Sequence, residues 1–431
     1  MAGDPGRKTH HPAYSGYVLL IVGLASVANY YDRNLLTILV EPVKRDLHIS
    51  DAQVGLLAGL GFAVMYSLVG IPMARLADRF GRARVLGVAL AVWSVMTALS
   101  GTTVNFVTML AARIGVGVGE AGGLPASHAL IADYFSPRWR GKALSVIGVS
   151  GGVGLTLAMA LGGAIVDWRG WRMAFYLAGL PGVALALLVL LTIREPKLAR
   201  AAEQSTAATP LGQVFATLWG RKSYVLLCVG LGIAAIGAYG HQAWTPAFLM
   251  RTYHKSAGEI GGLYSAAVGP ATVISIFLGG VVNDWLAARD KRWPLWLLAL
   301  AFGLTIPSTL LVVWTRDLNL ALGVSVVSTL AGGLWVGPAY ALVQSLSGER
   351  LRAISAAIFM MIVNIVGLGL GPVVVGVISD ALKPGFGAAA LTLSLSSISV
   401  TYVIGVVCFL AATRTVVADV AAADREAATA A

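Results

Sequence analysis

The chain has 431 residues, of which 57% are hydrophobic and only 12% charged, and 51 are glycine; its mean hydropathy is +0.80. Soluble domains carry about twice that share of charge, so a soluble globular class is excluded and the bilayer is the expected solvent, with small residues suited to close helix packing in lipid. The formal net charge of +11 does not call for nucleic acid as a partner, because the basic residues gather on one side of the apolar stretches, following the orientation rule for membrane helices.

From the N-terminus, MAGDPGRKTHHPAYSG is a short basic polar leader that includes Arg7 and Lys8. The apolar run after it is too long for the h-region of a cleavable signal peptide, so the first helix is expected to stay. About twelve apolar stretches follow, each read as a membrane-crossing helix. They lie near Tyr17–Val40, Val54–Arg75, Val85–Leu99, Phe106–Ile131, Leu144–Val166, Met173–Ile193, Tyr224–Met250, Ile260–Trp285, Pro294–Trp314, Leu318–Leu346, Ile354–Ser379 and Ala388–Ala412. With both termini inside, the inner segments collect Arg75, Arg79, Arg82, Arg84, Arg138, Arg140, Lys142, Arg194, Arg221, Lys222, Arg289, Arg292, Arg350 and Arg352. The outer loops hold few basic residues, among them Lys44, Arg45, Arg169, Arg172, Arg251 and Arg316. The asymmetry predicts a multi-pass protein of the cell's inner (plasma) membrane with both termini cytoplasmic.

Asp32 and Arg33, in YYDRNLL, fall within the first of these stretches. Arg113 and Glu120, in ARIGVGVGEAGG, fall within the fourth. A charge at mid-membrane depth is penalised by at least about 2.5 kcal/mol, so such residues usually face a bundle interior on a substrate or proton path. Arg113 and Glu120 are seven residues apart, nearly two turns, which places both on almost one face about 10 Å apart. Arg33 and Arg113 offer fixed charge and bidentate donors to a carboxylate or phosphate, while Asp32 and Glu120 are the expected proton carriers. An anion on an arginine would loosen its hold on a carboxylate and let the acid take a proton; the plain alternative is a static pair joining two helices. The glycine-rich run is not a nucleotide loop, since it lies inside an apolar helix with no strand before it.

Between the sixth and seventh stretches, REPKLARAAEQSTAATPLGQVFATLWGRKS is the longest polar interruption and reads as a linker. The expected organisation is an N-terminal six-helix bundle over 1–193, a cytoplasmic linker over 194–221 and a C-terminal six-helix bundle over 222–431. The halves echo each other. Ala74-Arg75-Leu76-Ala77-Asp78 matches Gly280-Val281-Val282-Asn283-Asp284, Gly163 and Asp167 match Gly376 and Asp380, and Arg138 and Arg140 match Arg350 and Arg352. Such parallel repeats imply a midplane cavity between the bundles.

The second half offers His241, Gln242, Gln344 and Asn364 within its spans, and no central charge. Tyr239, Trp244, Phe248, Trp335, Tyr340, Phe359, Met360 and Met361 could line an adaptable apolar slot. A charged half facing an apolar one suits an amphiphile with an anionic head. The expected substrate-binding residues are Arg33, Arg113, Tyr31, Asn34, His241, Trp335, Tyr340, Met360 and Asn364. Lone histidines such as His241 and His128 are more often structural, although either could relay protons. Cys228 and Cys408 have no metal-like spacing and are read as packing residues. No nucleophile with a base and no metal cluster is evident, so the chain is not expected to be an enzyme or to need a cofactor beyond a proton gradient.

LADRFGRARVL, between the second and third stretches, resembles the signature loop of the major facilitator superfamily, with Ala74 where that family usually has glycine. The resemblance extends over essentially the whole chain. It implies an all-α membrane protein of twelve helices in two pseudo-symmetric bundles that rock around a central site. Asp78, Arg79, Arg82 and Arg84 of this loop, with Arg140, form a candidate conformational latch at the cytoplasmic end, against a purely topological role. Within the superfamily, NYYDRN and RIGVGVGEAGGLPASHALIADYFSPRWRGKALS resemble spinster-like transporters, whose family exports or redistributes sphingosine phosphate and lysophospholipids. Proton-coupled organic anion symporters share the Asp-Arg pair and the Arg-to-Glu spacing. The expected function is proton-coupled transport of an anionic lysolipid-like amphiphile by a monomer surrounded by membrane lipid. The alternatives are a symporter of a small organic acid, and a receptor or scaffold that binds without moving its ligand.

Overall fold

A computed structural model of the chain describes residues 12–195 and 211–430, which are almost entirely helical. Arg7, Lys8 and residues 196–210 of the predicted linker lie outside the described residues. The first half comprises α1 (Pro12–Leu47), α2 (Asp51–Ala58), α3 (Leu60–Phe80), α4 (Arg82–Ser100), α5 (Phe106–Glu120), α6 (Gly123–Tyr134), α7 (Pro137–Arg169) and α8 (Trp171–Thr192). A short helix, α9 (Leu211–Trp219), occupies the end of the predicted linker. The second half follows with α10 (Lys222–Tyr253), α11 (Ala257–Ala287), α12 (Trp293–Trp314), α13 (Leu318–Gly333), α14 (Val336–Ile362), a π-helical stretch at Val363–Gly369, α15 (Leu370–Phe386), α16 (Ala390–Ile398), α17 (Val400–Ala412) and α18 (Val416–Ala430).

Local chemistry sets many of these boundaries. Capping boxes start α2 (Ser50 with Gln53), α5 (Asn105 with Thr108) and α11 (Ser256 with Glu259), each satisfying backbone N–H groups that have no intrahelical partner. Gly81 and Gly170 take φ of +104° and +84° at the α3–α4 and α7–α8 junctions, a conformation that a side chain would strain. Among the described residues, ten helical stretches are long and apolar enough to cross a membrane by length and composition. One of them, Leu351–Ala412, spans 62 residues and contains a turn at Gly387, where φ is +52°.

The stretches predicted as continuous from Val54, Phe106, Leu318 and Ala388 are each interrupted, at Gly59, Ala121–Gly122, Leu334–Trp335 and Ser399. Irregular backbone at membrane depth is tolerated only where it is buried in protein or lines a cavity. The breaks therefore mark the interior of the molecule.

On the face opposite the start of α1, here the far face, the halves are clasped together. Asp380, at the end of α15, accepts from the N–H groups of Asp51 and Ala52 at the start of α2, at 3.1 and 2.8 Å. Asp167, at the end of α7, accepts from Gly258 N–H at 3.0 Å and Ser256 Oγ at 2.6 Å at the start of α11. Each carboxylate thus sits on a helix N-terminus of the other half, where the helix dipole favours negative charge. Gly163 and Gly376 allow this approach, since a Cβ on either would run into the backbone at Ala257 or Asp51. The sequence repeat pairing Gly163 and Asp167 with Gly376 and Asp380 has become two matching contacts.

Arg251 of α10 completes the clasp, donating from Nε to Glu41 at 2.6 Å and from both terminal nitrogens to Asp51 at 3.1 and 2.9 Å. Lys44 pairs with the same Asp51, and Ser379 Oγ donates to it at 2.8 Å. Lys44 and Arg251, expected as solitary outer-loop charges, are therefore components of one network. Replacing Asp380 or Asp167 by alanine removes a cap of about 1 kcal/mol. Each change should raise the population open at the far face about fivefold, read as faster maleimide labelling of a single cysteine placed at Gln53. Unchanged labelling in both variants would contradict the clasp.

Candidate functional site

Adjacent residues on a helix point about 100° apart, and α1 uses this to send Asp32 and Arg33 to different neighbours. Asp32 is 1% exposed and turns into the first half, where Thr97 Oγ1 of α4 donates to its Oδ2 at 3.3 Å. Arg33 turns toward α3 and α5. Its Nη2 and Nε both donate to Glu120 Oε2, at 2.8 and 3.1 Å, and Nη2 lies 3.4 Å from Asn29 Oδ1. Glu120 is fully buried, whereas the Arg33 side chain keeps 18% exposure. Arg33 is thus the member of the group that reaches open space.

Arg113 is also buried, and it lies within Coulombic range of both Glu120 and Asp32. Among the described residues its Nε and Nη1 have no hydrogen-bond partner, while Trp93 of α4 approaches the Asp32 carboxylate and Asn29 of α1 that of Glu120. Leaving a buried charged group without a partner is costly, which singles out Arg113 within the cluster. The four charges predicted to converge do converge. Aromatic rings enclose them: Arg33 Cζ stands 4.7 Å from the Tyr66 ring, 4.9 Å from Phe62 and 5.5 Å from Tyr30.

Asn34 donates to the Tyr30 carbonyl at 2.7 Å and accepts from Gln242 Nε2 of α10 at 3.0 Å, joining the halves near the site. Tyr31 is partly buried against the main apolar core. In the second half a cavity of about 320 Å³ opens between α10, α11, α12 and α13, with Leu155 and Met159 of α7 on one wall. His241, Gln242, Trp335 and Tyr402 line it. Its threonines, including Thr245, Thr305 and Thr309, donate their hydroxyls back to carbonyls of their own helices at 2.7 to 2.9 Å, which leaves a wall without charge.

His241 holds Nδ1 3.0 Å from the Gly237 carbonyl and 3.3 Å from the Tyr402 hydroxyl. Tyr340, Met360 and Asn364 lie outside the cavity lining. Tyr340 packs edge-on to Phe359 at 6.2 Å, Met360 packs on the second-half core, and Asn364 falls in the π-helical stretch.

At the near face, where α1 begins, the candidate latch residues interact within the first half. Arg82 pairs with Asp133 at 2.6 Å and Asp78 at 3.6 Å, and donates to the Ala129 carbonyl at 3.2 Å. Arg84 N–H donates to Glu195 at 3.4 Å, Arg140 Nε donates to the Phe135 carbonyl at 3.0 Å, and Arg79 lies over Phe80 at 5.3 Å.

Sequence reasoning passed over Phe62, Tyr66, Tyr30, Trp93 and Thr97. Tyr30 lies one turn from Arg33 on α1, a spacing open to view in the sequence, whereas the other four reach the charges through tertiary packing at separations that leave no spacing signal. Arg251 was read only as an outer-loop charge, and its partners Glu41 and Asp51 were passed over.

Comparison with known proteins fits this geometry. The chain is 33% identical over 401 residues to an MFS-type efflux pump of Mycolicibacterium smegmatis, covering 93% of each chain. It is 28% identical over 305 residues to a probable L-galactonate transporter of Escherichia coli, covering 65% of this chain and 64% of that one. In structure it is similar to a bacterial homolog of the human lysosomal transporter Spinster in an inward-facing, unoccupied conformation, with a TM-score of 0.86 and 27% identity over 95% of this chain and 99% of that one. The Major Facilitator Superfamily profile matches residues 22–372, and the chain belongs to that superfamily, as a spinster-like membrane transporter and not an enzyme.

Proposed function

We propose that this transporter carries an anionic amphiphile, such as a lysophospholipid or a sphingosine-phosphate-like lipid, coupled to protons and by alternating access. One observation carries the reading: Arg113 holds two donors with no partner among the described residues, beside the Arg33–Glu120 pair and Asp32, while the neighbouring cavity in the second half is lined by no Asp, Glu, Lys or Arg. An anionic head suits the arginines and an apolar body suits the cavity. The likeness to a Spinster homolog supports the same class.

In mechanism, the anion competes with Glu120 for Arg33 and takes up the free donors of Arg113. A carboxylate that loses its guanidinium partner in a buried site is held less strongly in its charged form, so Glu120 or Asp32 accepts a proton. Substrate and proton then move together. Residues 1–193 and 222–431 act as the two rocking bodies, joined by the 194–221 linker. If the 62-residue stretch crosses twice and the broken α5–α6 segment crosses once, the ten long stretches become twelve crossings. The far-face clasp supports reading this conformation as open toward the near face, with both termini cytoplasmic in the inner membrane and a monomer as the working unit. The loop bearing Asp78, Arg79, Arg82 and Arg84, with Arg140, latches the near face when it closes.

A second reading, a small organic acid moved with protons, is favoured by the hydroxyls in the cavity wall and by the likeness to a probable L-galactonate transporter. In proteoliposomes with an imposed pH gradient, lysophosphatidylglycerol should be taken up saturably and resist competition by glucarate. The reverse pattern favours the organic acid, and saturable binding without flux of either makes the chain a receptor. Asp32→Asn should abolish accumulation against a gradient while leaving downhill exchange; full gradient-driven accumulation in that variant would remove Asp32 from the proton path.

A purely structural pair behaves differently. Arg33→Ala alone strands a buried carboxylate and should destabilise the protein by about 3 kcal/mol. The double replacement Arg33→Met with Glu120→Leu should recover most of that in thermal unfolding, yet stay inactive. A double variant that recovers stability and transport together would reduce the pair to packing.

A further inference from the structure

The ring of Phe62 lies close to two guanidinium groups carried by different helices. Its centroid is 4.9 Å from Arg33 Cζ of α1 and 5.8 Å from Arg113 Cζ of α5, and the side chain is fully buried. Two like charges this close in a dry interior repel. An aromatic face offered to both attracts each through the ring quadrupole and offsets part of that repulsion, which an aliphatic side chain of similar size does not do.

The ring is also held in register. It stacks on Tyr66, one turn further along α3, at 5.4 Å and 20°. The backbone beneath it is fixed to α5 through Gly117, where a Cβ would come within 2.7 Å of the Phe62 carbonyl oxygen. Gly117 lies one turn from Arg113. In addition, α3 packs against the π-helical stretch Val363–Gly369 of the second half, so a movement between the halves reaches this ring directly.

We infer that Phe62 is a positioning residue that mechanically and electrostatically ties Arg33 to Arg113, so that drawing one arginine toward an anion re-aims the other. This rests on the proposed proton-coupled transport but concerns a residue outside the charged set. Arg33 is the accessible member and Arg113 the enclosed one; the shared ring gives the enclosed arginine a way to respond to what the accessible one binds. A simple filler of apolar space would have no such part, and leucine would replace it.

The test compares Phe62→Leu and Phe62→Ile with Phe62→Tyr, all in the full chain. Without any substrate, the modification rate of Arg113 by phenylglyoxal, read by peptide mass, should rise about tenfold in the aliphatic variants, the scale of a desolvated cation–π contact. It should stay within about twofold of the parent in Phe62→Tyr. In proteoliposomes, lysophosphatidylglycerol uptake should lose its pH dependence in the aliphatic variants and keep it in Phe62→Tyr. Aliphatic variants that match the parent in arginine reactivity would overturn the inference. If the parent itself moves no lysophosphatidylglycerol, the proposed substrate falls, while the phenylglyoxal comparison still decides the role of Phe62.

Discussion

The need to keep charge inside a membrane interior governs this molecule. Each of Asp32, Arg33, Arg113 and Glu120 would cost at least about 2.5 kcal/mol exposed at mid-depth, and the first half is arranged so that none faces lipid. Arg33 reaches Glu120 at 2.8 Å, aromatic rings cover the guanidinium groups, and Thr97 serves Asp32. The satisfaction is incomplete at one residue: two buried donors on Arg113 have no partner among the described residues. The four charges sum to zero as they stand, so in the proposed mechanism an anion arriving at the arginines leaves one negative charge in excess, which a proton on a carboxylate offsets.

The architecture around the charges is a set of helices that are interrupted where function is concentrated. Gly59 breaks the helix that carries Phe62, Ala121–Gly122 breaks the one that carries Arg113 and Glu120, and Leu334–Trp335 breaks a wall of the second-half cavity. Each interruption sits in protein and not in lipid, as backbone polar groups demand. At the far face the same helices are pinned by carboxylates seated on the N-termini of the opposite half. Charge–dipole contacts of this kind, reinforced by Arg251, are specific in geometry yet modest in strength, a combination suited to a joint that must open.

Much of this was legible in the sequence, for identifiable reasons. Hydropathy places the helices because the bilayer leaves few alternatives to helical backbone, and buried charge is so rare that Asp32, Arg33, Arg113 and Glu120 stand out one by one. The repeat of Gly163 and Asp167 in Gly376 and Asp380 likewise announced matched halves, though not the contacts these residues make. The breaks were not legible, because glycine is frequent throughout the chain and marks only Gly59 and Gly122, while Leu334–Trp335 and Ser399 carry no breaker residue at all. Nor were Phe62, Tyr66 and Thr97, which are ordinary residues made important by neighbours distant in sequence. Tyr340, Met360 and Asn364 were chosen for chemistry suited to a slot; they fall outside the lining of the second-half cavity, and Tyr340 stands instead near Tyr239, Tyr30 and Tyr66, beside the charged group.

The most direct test of the exchange between anion and proton is infrared difference spectroscopy of the detergent-solubilised protein on addition of lysophosphatidylglycerol. The account predicts the appearance of a protonated-carboxyl C=O band that is lost in Glu120→Gln or Asp32→Asn. Binding of the lipid with no such band in the unaltered protein would contradict it.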